Sequence, residues 1–256
     1  MAAERTIPLY YEDCNATECQ SKVISVEEAS TDKVRGCYSV VLNKTIYYPQ
    51  GGGQPNDVGV MVRTGDSIFK ISDTQVIRDT GVILHFGHFS GPVFSVGDSV
   101  TVKIDAQRRL LHSRLHTGGH LIDACLKTLG FMDKWKPVKG HHFPEGPYVE
   151  YRGEISDSEL STLKEELEEK AKELIAENTS VNVYLNVNLE EAQQMCGQLD
   201  HSYLKMGKLR LVSINDCVVP CGGTHVGKLG QLIDLKIPKI KSTKAKQLIR
   251  IYYKLA

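Results

Sequence analysis

Three histidines with helical spacing are the first residues of this sequence that could do chemistry. His112, His116 and His120 are four residues apart within the run QRRLLHSRLHTGGHLIDACLKTL, residues 107–129. Side chains at positions i and i+4 of a helix lie on one face, about 6 Å apart along the axis. Two neighbouring imidazoles can therefore bind one metal ion. His112 and His120 would be about 12 Å apart, so a single ion cannot bind all three.

A second candidate pair of metal ligands, Cys221 and His225, lies much later in the chain. These two residues are four apart in the run CGGTH, and the intervening glycines permit the backbone of a tight turn. With two of the helical histidines they would supply nitrogen and sulfur ligands of the kind that zinc prefers. The competing interpretation is a buried free cysteine beside an unrelated histidine.

The residues around these ligands argue against several classes of zinc protein. A zincin needs a glutamate directly after its first histidine, and Ser113 or Thr117 holds that place here. A zinc deaminase needs His-x-Glu and Pro-Cys-x-x-Cys, of which only Pro220 and Cys221 are present. A zinc finger spaces its ligand pairs more closely. A metal bound by two distant segments is more typical of a cleft in a large domain.

A glycine-rich segment, YYPQGGGQPNDVG at residues 47–59, is the other unusual feature. It is not a P-loop, because the Gly-Lys-Ser/Thr ending is missing, and it is not a dinucleotide-binding motif, because no helix follows. The segment could be a simple hairpin between barrel strands. Three consecutive glycines are costly in conformational entropy, which favours a functional or domain-contact role.

Residues 1–104 have the pattern of a β domain. Short runs rich in β-branched and aromatic residues recur between turn residues, which is typical of a small barrel or sandwich. These predicted strands are KVISV, YSVVLN, TIYYP, VGVMV, IFKIS, TQVIR, VILHF and SVTVKI.

Residues 105–256 have the pattern of an α+β domain. The sequence predicts helices over 107–129 and 157–178, the second starting with a capping box of Ser156 and Glu159. The run LEEAQQM predicts a short third helix. Strands are predicted in VNVYLNVN, LRLVSI, QLIDLKI and QLIRIYYKL, so helices and strands do not alternate as in a βαβ repeat. We place the domain boundary near residue 104.

The 256 residues contain 31 basic and 31 acidic side chains, which excludes a globally basic nucleic-acid binder but not a local basic patch. Residues 1–104 hold 9 basic and 12 acidic side chains, and residues 105–256 hold 22 and 19. Seven basic residues and no acidic one lie between Lys236 and Lys254. Such a stripe either protects a strand edge or contacts phosphates.

The sequence also carries expectations about location. The first residues lack the apolar core of a secretory signal, and no run approaches the roughly 18 apolar residues of a membrane helix. Seven cysteines are an odd number and too sparse for a disulfide scaffold. We therefore expect reduced thiols in a cytoplasmic protein without a membrane partner.

Taken in order, the motifs YYPQGGGQPNDVG, HTGGH and CGGTHV resemble the editing half of alanyl-tRNA synthetase and its free-standing relatives, the alanyl-tRNA editing proteins. The intervening run GPYVEYRG, the capped helix and the run VNVYLNVNLEEAQQ also fit that family. The resemblance covers roughly residues 35–255. It implies an α+β fold in which a small β-barrel domain (1–104), carrying the glycine-rich loop, precedes an α+β editing domain (105–256) with a zinc site.

The resemblance also implies which residues form the site. One zinc ion per chain would be bound by His116, His120, Cys221 and His225, which leaves His112 as a neighbour on the helix. Substrate-binding groups are expected at positions that match the family or its glycine-rich loop: Gly51, Gly52, Gly53, Gln54, Asp57 and Thr224. No residue stands out as the base that activates water, and no nucleotide cofactor is expected.

The implied activity is hydrolysis of mischarged tRNA(Ala), whose acceptor end would be the partner. Ser-tRNA(Ala) is the expected substrate, with Gly-tRNA(Ala) as a second. Two alternatives remain open: a deacylase of another mischarged tRNA such as Ser-tRNA(Thr), and a tRNA-binding module without catalysis. Four protein ligands nearly close the coordination sphere of zinc, so the sequence leaves a structural, an orienting and a catalytic role of the metal open.

Overall fold

The structure is a computed structural model that describes residues 5–31, 34–63, 67–197, 199–201, 203–205 and 207–256. Contacts divide the chain into two compact units. The first contains the chain up to Gly51 together with Pro55–Leu110, and the second contains Gly52–Gln54 and Leu111–Ala256. The division falls after Leu110, inside the first helix, six residues beyond the predicted boundary near residue 104. It also assigns part of the glycine-rich segment to the second unit.

The first unit is built around a closed barrel. Its strands are β1 (Ile7–Pro8), β2 (Glu18–Thr31), β3 (Val34–Leu42), β4 (Lys44–Thr45), β5 (Gly59–Arg63), β6 (Ser67–Ile77), β7 (Val82–Ser90) and β8 (Ser99–Ile104). Six of them close in the order β2-β3-β7-β6-β5-β8, and β1 pairs in parallel with β4. Alternate residues at the start of β6 are buried, which places Phe69 and Ile71 in the barrel core. The N-terminal β-barrel predicted from the sequence is confirmed.

One predicted strand in this unit was wrong, and two others are parts of a single strand. In the run TIYYP only Thr45 belongs to a strand. The residues Ile46, Tyr47 and Tyr48 are buried, but the Tyr48 N–H donates to the Asp57 carboxylate (2.7 Å) instead of a neighbouring strand. Apolar character there reflects burial, not sheet pairing. The runs IFKIS and TQVIR were predicted as two strands and form one, β6.

The second unit contains most of α1 (Ala106–Thr128), then β9 (Lys136–His141), β10 (Tyr148–Arg152), α2 (Asp157–Ala176), β11 (Val181–Val187), α3 (Leu189–Cys196), β12 (Leu209–Ile214), β13 (Cys217–Pro220), β14 (Leu235–Thr243) and β15 (Leu248–Leu255). The three predicted helices are confirmed, as is the capping box at the start of α2. No helix among the described residues is both long and apolar enough to cross a membrane.

Two antiparallel sheets complete this unit. One has the strand order β14-β15-β10-β9, and the other has the order β11-β12-β13. The inner face of the four-stranded sheet shares a core with α1 and α2, to which Tyr151, Ile249 and Ile251 contribute. Strands β9, β10 and β13 were not predicted from the sequence. The strand predicted in QLIDLKI begins too early, because a 3-10 turn, Leu229–Leu232, precedes β14.

Candidate metal centre

Two segments bring four potential ligands together in the second unit. Helix α1 supplies His116 and His120, and the turn after β13 supplies Cys221 and His225. One ligand atom from each of these residues lies within 4.8 Å of the others, so the group could hold a metal ion. His112 lies one turn earlier on α1, is buried, and contributes no atom to this cluster.

The Cys221 sulfur lies between the three imidazoles. Its Sγ is 3.4 Å from Nε2 of His116, 3.4 Å from Nε2 of His120 and 3.3 Å from Nε2 of His225. Each histidine thus turns the same ring atom toward the sulfur. The approach of His116 depends on Gly223, because a Cβ atom there would lie 2.1 Å from its Cε1.

Gln54 determines which ring nitrogen of His116 carries the proton. Its Oε1 accepts the backbone N–H of Thr224 (3.0 Å), which determines the orientation of the amide group. The same oxygen lies 2.8 Å from Nδ1 of His116, and since a carbonyl oxygen only accepts, that nitrogen carries the proton. The Nε2 lone pair of His116 is therefore available to a metal.

The other two histidines have comparable partners. Nδ1 of His120 lies 3.3 Å from the Asp123 carboxylate, which can only accept when ionised. Nδ1 of His225 lies 3.4 Å from Oγ1 of Thr117, whose own proton is donated to the Ser113 carbonyl (2.8 Å). These contacts leave Nε2 of both rings as the metal-binding atom. The cluster thus offers three imidazole nitrogens and one sulfur.

Electrostatics favour a thiolate in this cluster. Burial opposes ionisation of the Cys221 thiol, but attraction to His120 lowers its pKa below the ordinary value. Burial likewise opposes a charge on His120, but the Cys221 thiolate and Asp123 raise the pKa of His120 to about 10. The pKa values of His116 and His225 are well below normal, first because of burial and then because of neighbouring histidines. Thiolate and neutral imidazole are the forms that bind metals, so Cys221, His116 and His225 are favoured in those forms, whereas His120 must lose a proton when a metal binds.

A further histidine, His142, contacts the cluster and was missed by the sequence analysis. Its ring stacks on His116 with 4.3 Å between ring centroids and 20° between planes. The Tyr253 hydroxyl donates to the Leu115 carbonyl (2.8 Å), so it accepts from Nδ1 of His142 at 2.7 Å. Burial lowers the pKa of His142 to about 3, which leaves Nε2 as a neutral acceptor. The doublet His141-His142 has no ligand-like spacing that could have revealed this role.

Comparisons with known proteins identify the family of this chain. Residues 2–108 match the family described as tRNA synthetases class II (A), and residues 209–252 match the threonyl and alanyl tRNA synthetase second additional domain. The alanyl-tRNA editing protein AlaX-M of Methanosarcina mazei is 32% identical over 263 residues, which cover 98% of this chain and 96% of that protein. This chain belongs to the alanyl-tRNA editing family. The resemblance inferred from the three sequence motifs is thereby confirmed.

Longer relatives share only part of their length with this family member. The alanyl-tRNA editing protein AlaX-L of Pyrococcus horikoshii is 31% identical over 96% of this chain and 57% of its own length. The alanine–tRNA ligase of Methanothrix thermoacetophila is 33% identical over 91% of this chain, but the match spans only 24% of the ligase.

The predicted substrate-binding residues of the editing family fall into both units. In the second unit, Gln54 and Thr224 are fully buried and bonded to each other, with the Gln54 amide donating to Thr224 Oγ1 at 2.9 Å. Gly52 is exposed, and the Gly53 carbonyl accepts the backbone N–H of His142 (2.8 Å). Gln54 thus contacts the His116 ring directly, and Thr224 is connected to it through Gln54. Their contact with substrate stays a prediction.

The remaining two predicted residues, Gly51 and Asp57, lie in the first unit. Asp57 is fully buried and forms an ion pair with Arg109, whose Nε lies 3.1 Å from the carboxylate. The carboxylate also accepts the Tyr48 N–H, and the Gly51 carbonyl accepts the Tyr48 hydroxyl (2.9 Å). These contacts give Asp57 a clear structural role in its own unit. A role of either residue toward substrate stays a prediction.

Proposed function

We propose that this protein hydrolyses mischarged tRNA(Ala), with Ser-tRNA(Ala) as the main substrate and Gly-tRNA(Ala) as a second. The observation that carries the proposal is the convergence of His116, His120, Cys221 and His225 on one point. Support also comes from AlaX-M, which is named for alanyl-tRNA editing and matches this chain over nearly its full length. The cytoplasmic location remains a prediction from sequence.

Such an activity is needed because binding alone discriminates poorly between small amino acids. A pocket distinguishes two amino acids that differ by one small group by only about 1–3 kcal/mol. A site that accepts alanine therefore also admits glycine and, to some extent, serine. A separate hydrolytic site that removes the wrong amino acid from its ester with tRNA corrects the error.

The four ligands fit zinc, and we propose one zinc ion per chain. Three imidazole nitrogens and a cysteine sulfur are ligands that zinc binds in tetrahedral sites. Their protons are already arranged, because Gln54, Asp123 and Thr117 hold Nδ1 of the three histidines. When bound, zinc polarises a carbonyl group, lowers the pKa of a bound water or orients the substrate.

The chain itself performs the positioning. Gln54 holds the His116 ring through Nδ1, while His142 packs against the face of that ring and keeps it in place. The Tyr253 hydroxyl accepts the Nδ1 proton of His142 and donates to the Leu115 carbonyl, so it links the His142 ring to the backbone of α1. A ring held on one edge and one face has little freedom to rotate, which preorganises the ligand set.

Single-turnover deacylation of Ser-, Gly- and Ala-tRNA(Ala), with and without a chelator, tests this function. We expect hydrolysis of the two mischarged tRNAs, little hydrolysis of Ala-tRNA(Ala), and loss of activity together with zinc. The variants His120→Ala and His112→Ala are a matched pair, since both change a histidine of α1. The first should lose zinc and the second should keep it. Zinc retained without His120 and lost without His112 would contradict the ligand assignment.

One of the family matches supports testing a second substrate. The domain matched by residues 209–252 is described for both threonyl and alanyl synthetases, so Ser-tRNA(Thr) belongs in the same assay. Hydrolysis of Ser-tRNA(Thr) in preference to Ser-tRNA(Ala) would transfer the proposal to that substrate. Tight tRNA binding without hydrolysis of any ester would instead identify a non-catalytic binding module.

A further inference from the structure

The outer face of the four-stranded sheet in the second unit combines aromatic and basic side chains. The register of β9, β10, β15 and β14 aligns two rows across this face. The first row consists of His141, Tyr148, Tyr252 and Lys239, and the second consists of Lys139, Glu150, Arg250 and Lys241. We call these eight residues the outer sheet face. The residues between them on the central strands point into the core.

The outer sheet face is positively charged. It holds four basic residues against one acidic residue, Glu150. Arg250 neutralises Glu150, because its Nε and Nη2 donate to the same carboxylate oxygen at 2.8 and 2.6 Å. The lysines are exposed, and the side chain of Arg250 is 37% exposed. The surface is therefore suited to a polyanion.

The aromatic rings form a continuous row. Phe143 stacks on His141 with 4.6 Å between ring centroids, and His141 stacks on Tyr148 at 5.0 Å. Tyr148 and Tyr252 follow at 5.5 Å. The Arg250 guanidinium lies 4.3 Å from the Tyr148 centroid, and Glu150 holds it there. Ring and guanidinium planes held in this way are surfaces on which RNA bases stack.

Two lysines cover the remaining ring. Nζ of Lys239 lies 4.5 Å from the Tyr252 centroid, and Nζ of Lys241 lies 6.0 Å from it. Both lysines are exposed, so these cation–π contacts are weak and the side chains can turn away. A base could then occupy the face of Tyr252 while the displaced ammonium groups meet the adjoining phosphates.

The row of rings ends at β9, the edge strand nearest the metal centre. His141 is the immediate neighbour of His142, whose ring stacks on the candidate ligand His116. Successive side chains of a strand face opposite sides of the sheet, so the rings and the metal centre lie on opposite faces at this edge. Three strand intervals of about 4.8 Å separate β9 from β14, so the row extends roughly 14 Å from there. Four-stranded sheets with aromatic residues on one face bind two or three single-stranded bases over such a width.

We propose that the outer sheet face binds the unpaired 3′ strand of the RNA substrate, and that the end of this strand passes round the edge strand β9 to the metal centre. Bases stack on Tyr252 and on the Arg250 guanidinium, while Lys139, Lys239 and Lys241 contact phosphates. This proposal rests on the proposed function, in which the substrate is an aminoacyl-tRNA. Strand protection alone does not account for the pattern, because β14 is an edge strand but the tyrosines lie on the central strands β10 and β15.

The test measures the affinity of the full chain for uncharged tRNA and for the same tRNA without its unpaired 3′ nucleotides. Tyr252→Leu should weaken binding of intact tRNA about five- to hundredfold, the range expected for loss of one stacked base. It should leave binding of truncated tRNA unchanged. Tyr252→Phe, which keeps the ring, is the matched control and should bind intact tRNA normally.

The lysines that meet phosphates have their own controls. Lys239→Gln with Lys241→Gln should weaken binding and lower the slope of affinity against salt by about one unit for each phosphate that is no longer neutralised. Lys164→Gln with Lys172→Gln removes two exposed lysines of α2 and should change neither. If the lysine variants weaken binding but Tyr252→Leu does not, the face is only an electrostatic patch and the stacking proposal is wrong.

Binding of uncharged tRNA separates this proposal from the proposed function. Tyr252-dependent binding of the 3′ strand without any deacylation would refute the proposed function alone. Deacylation of mischarged tRNA(Ala) with an affinity for tRNA that is indifferent to Tyr252 would overturn the proposal made here.

Discussion

Replacement of Gly223 by alanine should damage the metal centre although it replaces none of the four candidate ligands. The added Cβ would lie 2.1 Å from Cε1 and 2.2 Å from Nδ1 of His116. Carbon atoms in contact are about 3.5–4.0 Å apart, so the ring must move by roughly 1.5 Å. It has little room to do so, since it is 2% exposed, stacks on His142 and is bonded to Gln54.

The expected result is loss of the Gln54–His116 hydrogen bond and displacement of Nε2 from the cluster. Changes of this kind beside a ligand typically cost 10- to 100-fold in metal affinity, or about 1.4–2.7 kcal/mol. The assay is competition for zinc against a chromophoric chelator of known affinity. Gly227→Ala is the control, because nothing lies within 4 Å of the Cβ it would add. Equal zinc affinity of the two variants would refute the argument that Gly223 admits the His116 ring.

Three further substitutions test the choice of cysteine ligand, the buried His85 and the buried ion pair of Asp57. Cys221→Ala should release zinc, whereas Cys217→Ala should retain it, because Cys217 lies in the core of the second unit. Measurement of the zinc content of the two purified variants shows which cysteine binds the metal. Burial lowers the pKa of His85 to about 4, so the folded protein favours the neutral imidazole. The free energy of unfolding should therefore decrease by about 3 kcal/mol as the pH falls from about 6.5 to 4. Urea unfolding across that range should show this decline in the wild type and a smaller one in His85→Gln. Asp57→Asn should lower the free energy of unfolding by about 3–5 kcal/mol, because it leaves the buried Arg109 charge without its partner. Normal stability of that variant together with slow deacylation would indicate a pocket role instead.

The spacing of the histidines and of Cys221 with His225 made them candidate ligands before the structure was considered. Two histidines one helical turn apart must share a face of α1, and Cys-Gly-Gly-Thr-His places a thiol and an imidazole on one turn. Choosing His116 and His120 over His112 required the family resemblance, since helical spacing alone allows either neighbouring pair. The structure then brings these residues together with Cys221 through tertiary packing.

The surroundings of the ligands could not be predicted in the same way. Gln54 reaches His116 across 62 positions of sequence, and Tyr253 reaches His142 across 111. No periodic pattern connects residues so far apart. The same reason explains the missed strands β9 and β10: β10 pairs with β15 about 100 positions later in the chain, and β9 joins the sheet only by pairing with β10.

The metal centre joins two distant parts of one chain. His120 and Cys221 are 101 positions apart, and a bound ion would tie them together as a cross-link does. In the chain-entropy model, a disulfide that closes a loop of about 100 residues stabilises a protein by roughly 4.7 kcal/mol. A metal cross-link between the same two positions would stabilise the fold by a comparable amount. The loop contains α2, α3 and the strands from β9 to β13, and cleavage by proteases requires its transient opening. On the proposal that this ion is zinc, its release would let the loop open more often and so expose the chain to proteases.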